Sequence, residues 1–490
     1  MPPKESKEIR VRIAPSPTGF FHFGTARTAL FNYLFAKKHN GKFIVRIEDT
    51  DRERSKPEYE KDILDGLRWL GLNSDEDPIV GGSHGPYRQS ERLDMYEKYL
   101  KQLLSENKAY YCFCASEDLE MERKVMMESG IAPKYSGKCR SISHKEAEGK
   151  IEKGEASIIR FKMPEEKIRF NDLIKGKIEM DLSLFGDQVI AKNLREPLYN
   201  FAVVVDDEEM KISDVIRGED HLPNTPKQIP IQKALGFKEV AYAHLPLILN
   251  PDRSKMSKRF LDVSVKDYKD KGYLPSAMVN FMALIGWHPE AKSGESEKEI
   301  FTIKELISEF SLERVQKGGG IFSEEKLDWI NSQFIKNMED VHLLEELKLR
   351  GDVEESSLSK ESVLKIIKST KERMKNLSEF KNLAHFFFKL PQYDKNLLIW
   401  KKSNLAGAVI ALNESVAILE SISPENFKKE VIEKELNQFG EKIGKGDLYW
   451  PVRVALSGRE FSPPPQEIMD ILGKDESIKR VKSAIENLEK

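Results

Sequence analysis

Near its start the chain alternates: Ile9, Val11 and Ile13 are apolar, and Arg10 and Arg12 between them are charged. That period of two predicts a strand over 8–14. A Pro/Gly loop follows, Pro15-Ser-Pro-Thr-Gly19, and then Phe20-Phe-His-Phe-Gly24. The period then lengthens. Ala26, Leu30, Phe31, Leu34 and Phe35 share one face of a helix predicted over 25–38, which Asn40-Gly41 ends. A second strand is predicted over 42–47, running into Glu48-Asp-Thr-Asp51. Strand, helix, strand is a βαβ unit and implies a parallel sheet. Ligands of such sheets bind beyond the carboxyl ends of the strands, where both the Pro/Gly loop and the acidic cluster lie.

The pattern changes over 89–195. A helix over 90–106 leads into short strands and turns, such as 157–162, and the stretch holds all three cysteines. It reads as an insertion. Parallel strands are predicted again over 198–205 and 211–217, followed by a helix that Thr225-Pro226 opens and Gly236 ends. Beyond Arg259 the spacing is mostly helical. One helix is predicted over 275–285, with Pro275 at its start and Gly286 after its end. Others fall over 323–347, 358–388, 403–421, 424–440 and 465–489. Gly318-Gly-Gly320 is a candidate hinge or turn.

The 490 residues suggest about three or four domains. With 39% hydrophobic residues, several packed cores are possible. The formal net charge of −2 does not announce a nucleic-acid partner, so phosphates would have to be gripped by local basic patches. Three cysteines in so long a chain argue against a disulfide scaffold and for a reducing compartment. Residues 1–8 are polar and lack a secretory h-region, and there is no apolar run long enough to span a membrane. A cytoplasmic protein is expected.

His22-Phe-Gly-Thr25 sits where the first loop feeds the first helix. A helix N-terminus presents unpaired N–H groups and a partial positive charge, a ready phosphate site. Gly24 allows close approach, His22 can donate to phosphate oxygens and Thr25 adds a hydroxyl. Arg253-Ser-Lys-Met-Ser-Lys-Arg259 supplies two ammonium groups and a hydroxyl, suited to a polyphosphate displaced at its α-phosphate. Either pattern alone more often marks a solvated loop. Both, in this order on a βαβ frame, point to nucleotide chemistry.

The pair resembles the His-Ile-Gly-His and Lys-Met-Ser-Lys-Ser signatures of class I aminoacyl-tRNA synthetases. Within that class the chain is similar to the bacterial-type glutamyl-tRNA synthetases. The resemblance rests on Arg12-Ile-Ala-Pro-Ser-Pro-Thr-Gly19, Ala26-Arg-Thr-Ala-Leu-Phe31, Arg46-Ile-Glu-Asp-Thr-Asp-Arg-Glu-Arg54, Tyr87-Arg-Gln-Ser-Glu91, Val215-Ile-Arg-Gly-Glu-Asp-His221 and Leu327-Asp-Trp-Ile-Asn331. It covers about residues 8–340. One departure is Thr25, where the signature has a second histidine.

The resemblance implies an α/β fold: a Rossmann-like parallel-sheet catalytic domain with an α+β insertion, followed by all-helical stem-contact and anticodon-binding domains. The expected divisions are 1–88 and 196–259 for the catalytic halves, 89–195 for the insertion that takes the tRNA acceptor end, 260–335 for the stem contact, and 336–385 and 386–490 for the anticodon region. The implied reaction joins L-glutamate to ATP as glutamyl-adenylate, then moves the glutamyl group to the terminal adenosine of tRNA(Glu); tRNA(Gln) as a further substrate is left open. His22, Thr25, Lys255 and Lys258 would hold the phosphates, with Mg²⁺ on the departing pyrophosphate. Ser16, Gly24, Glu219 and Ser257 would also meet ATP, with Asp220 and His221 near adenosine.

Glutamate carries two carboxylates and one ammonium, so a selective pocket needs two cations and one acid. By resemblance these are Arg12, Arg217 and Glu48, with Ser16 and Tyr199 completing the pocket. An arginine fork pairs with carboxylate and leaves donors facing donors if glutamine enters. Cys112, Cys114 and Cys139 match the spacing of three zinc ligands in some family members, but Ser141 stands where the fourth, a histidine, is expected. Tyr135 or His144 as the fourth ligand, and three free thiols without zinc, stay open. Arg373 and Trp450 are candidate anticodon contacts, and a monomer is expected.

Three rivals are weighed. Glutaminyl-tRNA synthetases build the anticodon region from β-barrels, whereas this half reads helical. A truncated relative that glutamylates a modified tRNA nucleoside lacks that half. A non-catalytic tRNA-binding protein would not need Arg12 or the Lys255-Met-Ser-Lys258 loop.

Overall fold

The computed structural model describes residues 8–254, 263–290, 298–353, 358–401 and 403–489. Two compact units emerge, one of 1–270 and 275–327, the other of 271–274 and 328–490.

In the first unit, β1 (Arg10–Ile13) connects through α1 (Phe23–Lys38) to β2 (Lys42–Val45), and β1 pairs with β2 in parallel from Arg10↔Lys42 to Ile13↔Val45. The helix buries Ala26, Leu30, Phe31 and Leu34 completely. Its return is tight. A Cβ at Gly41 would stand 2.3 Å from the Ile9 carbonyl oxygen, so only glycine lets the chain turn back against β1. All of β1 is buried, including Arg10 and Arg12. The alternation therefore does not mark a solvent face. Carboxylates cover the charged side instead, beginning with Glu76, 2.8 Å from Arg10 Nη1.

After α2 (Pro57–Trp69) and α3 (Leu93–Ser105) the chain enters a four-stranded antiparallel sheet. It begins with β3 (Ala109–Cys112), then passes α4 (Ser116–Glu128), α5 (His144–Glu152) and β4 (Ile158–Phe161). A hairpin, β5 (Lys167–Asp172) and β6 (Gly176–Asp181), follows before β7 (Gln188–Asn193) and β8 (Glu196–Pro197). The antiparallel order is β3-β4-β7-β8. The hairpin joins the parallel sheet instead, so the 89–195 insertion divides its strands between two sheets.

The stretch 198–205, predicted as a strand, is helical: α6 spans Tyr199–Glu209. Its Phe201, Ala202, Val203, Val204 and Val205 are all buried, and so are Asp206 and Asp207. A helix buried all round shows no 3.6-residue period, and its valines mimic a strand. Then come β9 (Asp214–Gly218), α7 (Thr225–Ala234) and β10 (Ala241–Leu245). β9 and β10 pair in parallel, and Asp172 of β5 stands in register with Tyr242. Ser213 N donates to Arg10 O at 2.9 Å, setting β9 beside β1. The chain thus leaves β1 in both directions, toward β2 and toward β9, which creates a crevice at the carboxyl ends. The triglycine is not a free turn. Gly320–Ile321 pairs with Ile248–Leu249, and a Cβ on Gly320 would meet Ile285 Cγ2 at 2.6 Å.

The second unit is helical. Predicted spans divide where the chain breaks: 323–347 into Glu324–Asn337 and Asp340–Leu349, 358–388 into Lys360–Thr370 and Glu379–Phe388, and 465–489 into Pro465–Leu472 and Lys474–Glu489. Leu405–Ser421 and Lys429–Ile443 follow the predicted spans more closely. The helix Lys445–Ser457 has no counterpart among the predictions, because Gly444 and Pro451 read as breakers. Burial of Leu448, Val452, Ala455 and Leu456 holds it despite the proline. Trp450 donates its indole N–H to Leu397 O at 2.7 Å and packs 4.5 Å from Trp400, whereas Arg373 is exposed. Among the described residues no helix is long and apolar enough to cross a membrane.

Candidate active site

A cleft of about 690 Å³ opens at the carboxyl ends of β1 and β9. Arg12, Ser16, His22, Gly24, Thr25, Glu48, Tyr199 and Arg217 all line it, as do Asp220 and His221. Glu219 does not. Its carboxylate accepts from Leu247 N at 3.0 Å and pairs with Lys175. Lys255, Ser257 and Lys258 lie outside the described residues.

At one end the N-terminus of α1 faces the cleft. His22 caps it, Nδ1 accepting from Thr25 N at 3.3 Å, while Nε2 lies 2.8 Å from the Thr25 hydroxyl. With Nδ1 accepting, Nε2–H donates, so the Thr25 hydroxyl proton remains available to a ligand oxygen. The first turn carries no acidic residue to compete for an anion.

At the other end sits a buried charge network that sequence reasoning found only in part. Arg12 donates to Asp207 through Nε (3.0 Å) and Nη2 (3.2 Å). Arg46 donates to the same carboxylate through Nη1 at 2.7 Å and to Glu48 through Nη2 at 3.0 Å. Glu48 is brought beside the first loop by its N–H, which donates to Pro15 O at 3.0 Å. Burial pushes the Glu48 carboxyl up, and Arg46 only partly offsets it. A buried acid so raised is short of positive charge, which a ligand ammonium would supply.

Arg217, from β9, donates through Nε to His244 and through Nη2 to Thr225 and Gln228, and its Nη1 has no partner among the described residues. On both arginines the Nε–Nη2 side faces protein, and Arg217 Nη1 is buried, so an open fork is not offered. Tyr199 and His221 are joined, Oη to Nδ1, at 3.0 Å. Burial lowers His221 to about 4, with Arg217 and Arg12 adding and Asp220 opposing, so the ring is neutral.

The match to known proteins agrees with this geometry. Residues 8–329 match the model of the catalytic domain of class I tRNA synthetases (E and Q), and residues 333–485 match an anticodon binding domain. The chain belongs to the class I tRNA synthetases of the E and Q group. Among its relatives is a glutamate–tRNA ligase of Carboxydothermus hydrogenoformans, 44% identical over 96% of this chain and 99% of the relative. Glutamate–tRNA ligase 1 of Caldicellulosiruptor saccharolyticus is also 44% identical, over 97% and 98%. A crystal structure of a glutamate tRNA ligase from Elizabethkingia meningosepticum in complex with its amino acid superposes with a TM-score of 0.88, at 37% identity, covering 98% of this chain and all of that one.

On this synthetase scaffold two residues escaped sequence reasoning. Asp207 lies in the stretch read as strand and loop. Arg27 lines the cleft, with Nε on Ile285 O at 2.9 Å and Nη1 on Pro246 O at 2.8 Å, which ties α1 to two distant loops. Both are charged side chains buried by partners far along the sequence, and nothing local signals that.

The cysteines converge as expected. The sulfurs of Cys112, Cys114 and Cys139 lie within 4.8 Å of one another, with Cys114 and Cys139 3.6 Å apart. Tyr135 Oη is 3.4 Å from Cys112 Sγ and 3.5 Å from Cys114 Sγ. His144 is elsewhere, beside Glu148 at 3.4 Å. Burial pushes Tyr135 up, reinforced by hydrogen bonds to the cysteines. Burial also disfavours the Cys112 thiolate, but the Tyr135 hydroxyl, the Cys114 backbone and Arg160 together outweigh it and lower that thiol.

Proposed function

We propose that the chain is a glutamate–tRNA ligase that activates L-glutamate with ATP and transfers it to the terminal adenosine of tRNA(Glu). The observation that carries this is one cleft with two chemically different ends. A helix N-terminus with His22, Gly24 and Thr25 suits phosphate, and Arg12, Glu48 and Arg217 match a molecule with two carboxylates and an ammonium. The close likeness over nearly the full length of several glutamate–tRNA ligases supports the same reading.

The site needs no protein nucleophile. The glutamate α-carboxylate attacks the α-phosphorus, and the enzyme positions the reactants and stabilises developing charge. Glu48 holds the ammonium, Arg12 and Arg217 take the carboxylates, and Ser16 and Tyr199 border the pocket. His22, Gly24 and Thr25, joined by Lys255, Ser257 and Lys258, hold the phosphates of ATP, which enters as its Mg²⁺ complex. Glu219 acts from outside the cleft by fixing the Leu247 backbone, and Asp220 and His221 border the adenosine side. The tRNA hydroxyl then attacks the carbonyl of the mixed anhydride, forming the ester as the acyl–phosphate bond breaks and AMP leaves. The insertion over 89–195 receives the acceptor end, 260–335 meets the stem, and the helical region from 336 onward reads the anticodon, with Arg373 a contact. We place the enzyme in the cytoplasm as a monomer.

The sulfurs also fit zinc. A tetrahedral site with Zn–S of about 2.3 Å sets its sulfurs about 3.8 Å apart. Cys112, Cys114 and Cys139 would hold the ion, with Tyr135 Oη as fourth donor; when bound it would act structurally, cross-linking β3 to the loop carrying Tyr135 and Cys139.

ATP–pyrophosphate exchange tests the function. Glutamate-dependent exchange in the presence of tRNA(Glu), absent with glutamine or aspartate, is expected. No exchange by folded protein under any condition would favour a tRNA-binding protein without catalysis.

A further inference from the structure

Arg217 is held from behind. Its Nε donates to His244 Nε2 at 3.2 Å, and its Nη2 donates to Thr225 Oγ1 and Gln228 Oε1, both at 2.8 Å. An arginine Nε–H can only donate, so His244 Nε2 must present its lone pair. The ring proton then resides on Nδ1, and Asp172 waits there, with Oδ2 2.6 Å away. The Thr225 hydroxyl, 3.1 Å from the same Nε2, accepts from Arg217 and passes its own proton toward the ring. One tautomer alone satisfies the whole chain of contacts.

Asp172 is itself immobilised. Oδ1 accepts from Ile174 N at 3.0 Å and Lys175 N at 2.7 Å, and Oδ2 lies 3.1 Å from His244 N. Neither the Asp172 nor the His244 side chain is exposed. Asp172 ends β5, so the residue that orients His244 belongs to the insertion, whereas Arg217 and His244 belong to β9 and β10.

We propose that Asp172 and His244 are positioning residues for amino-acid selection, fixing the imidazole tautomer that holds the Arg217 guanidinium in place at the pocket wall. This rests on the reading that Arg217 takes a glutamate carboxylate. Neither residue touches substrate; they act through the direction of one guanidinium. Asp172→Asn preserves shape but sets an N–H against Nδ1. The ring then carries its proton on Nε2, facing Arg217 Nε–H, and the guanidinium turns away.

The experiment is steady-state aminoacylation by the full-length enzyme, with glutamate and ATP varied separately, for Asp172→Asn, His244→Asn, His244→Gln and Arg217→Ala. Thermal unfolding is recorded for each. His244→Gln keeps an oxygen acceptor near the Nε2 position, whereas His244→Asn reaches only Asp172. Asp172→Asn and His244→Asn are expected to raise the glutamate KM by about tenfold or more, leaving the ATP KM unchanged. His244→Gln should stay close to wild type. Equal effects of the two His244 variants, or glutamate and ATP KM values rising together, would reduce the pair to packing and overturn the proposal. If Arg217→Ala raises the glutamate KM while Asp172→Asn and His244→Asn do not, the positioning role fails alone. An unchanged glutamate KM in Arg217→Ala would overturn the pocket and the positioning role together.

Discussion

Asp207 grips Arg12 with both carboxylate oxygens, Oδ1 accepting from Nε at 3.0 Å and Oδ2 from Nη2 at 3.2 Å. Arg46 reaches the same group at 2.7 Å, so one acid on α6 bridges the guanidiniums of Arg12 on β1 and of Arg46 just past β2. Removing one partner of a buried pair leaves the other charge uncompensated, at a cost of about 3–5 kcal/mol. Asp207→Asn should lose about that much in urea unfolding at pH 7, and its glutamate KM should rise as Arg12 loosens. A loss below about 1 kcal/mol, the range of a surface ion pair, would show that Arg12 and Arg46 find other partners.

Asp207, behind Arg12, and Glu48, in the cleft, respond oppositely to pH. Burial works against the Asp207 carboxylate, but Arg12 and Arg46 outweigh it and hold it below its ordinary 3.8. Its contribution to stability is therefore complete above 3.8 and lost as pH falls through the lower folded value. Glu48 is raised above 4.5 by burial. The folded state then holds that proton longer than the unfolded chain, and stability declines as pH climbs from 4.5 through the folded value. Glu48→Gln should remove this decline in denaturant titrations made at successive pH values. Glutamate binding should also release a proton in the same window, visible as a buffer-dependent heat in calorimetry.

Thr25 stands where the signature has histidine, and its hydroxyl sits 2.8 Å from His22 Nε2. Thr25→Val deletes a donor to charged oxygen, worth about 10- to 100-fold. That loss should fall on ATP use in pyrophosphate exchange and leave the glutamate KM in place. A wild-type rate would assign the phosphate contact to His22 and the backbone alone.

Zinc, if held by Cys112, Cys114, Cys139 and Tyr135, should appear near one equivalent in the purified protein. Tyr135→Phe should speed its loss to a chelator, and Cys139→Ser should abolish it and lower the unfolding temperature. A metal-free protein whose Cys139→Ser variant unfolds like wild type would establish three free thiols.

Much of the catalytic frame was legible because β1 alternates, α1 keeps a helical spacing and the breakers lie at the ends. The cleft residues from Arg12 to Arg217 were legible through motif strings. What escaped has a common physical cause. α6 has no exposed face to betray its pitch, and Asp207, Asp172 and His244 take their meaning from partners elsewhere; Asp172 and His244 are separated by 72 positions. The helix Lys445–Ser457 survives Pro451 because its apolar residues are buried, which local propensity does not register.

The hydrogen bond from Ser213 to Arg10 closes the centre of the parallel sheet across 203 residues. A ribosome adding about 5–20 residues per second needs roughly 10–40 s to cover that distance. For that interval the emerging β1-α1-β2 unit has a strand edge with no neighbour and a buried-type arginine face with no α6 above it. An unpaired edge of this kind is a template for wrong pairing. The nascent first tenth of the chain is thus the stretch most in need of shielding during synthesis, and a pause before α6 is made would prolong its exposure.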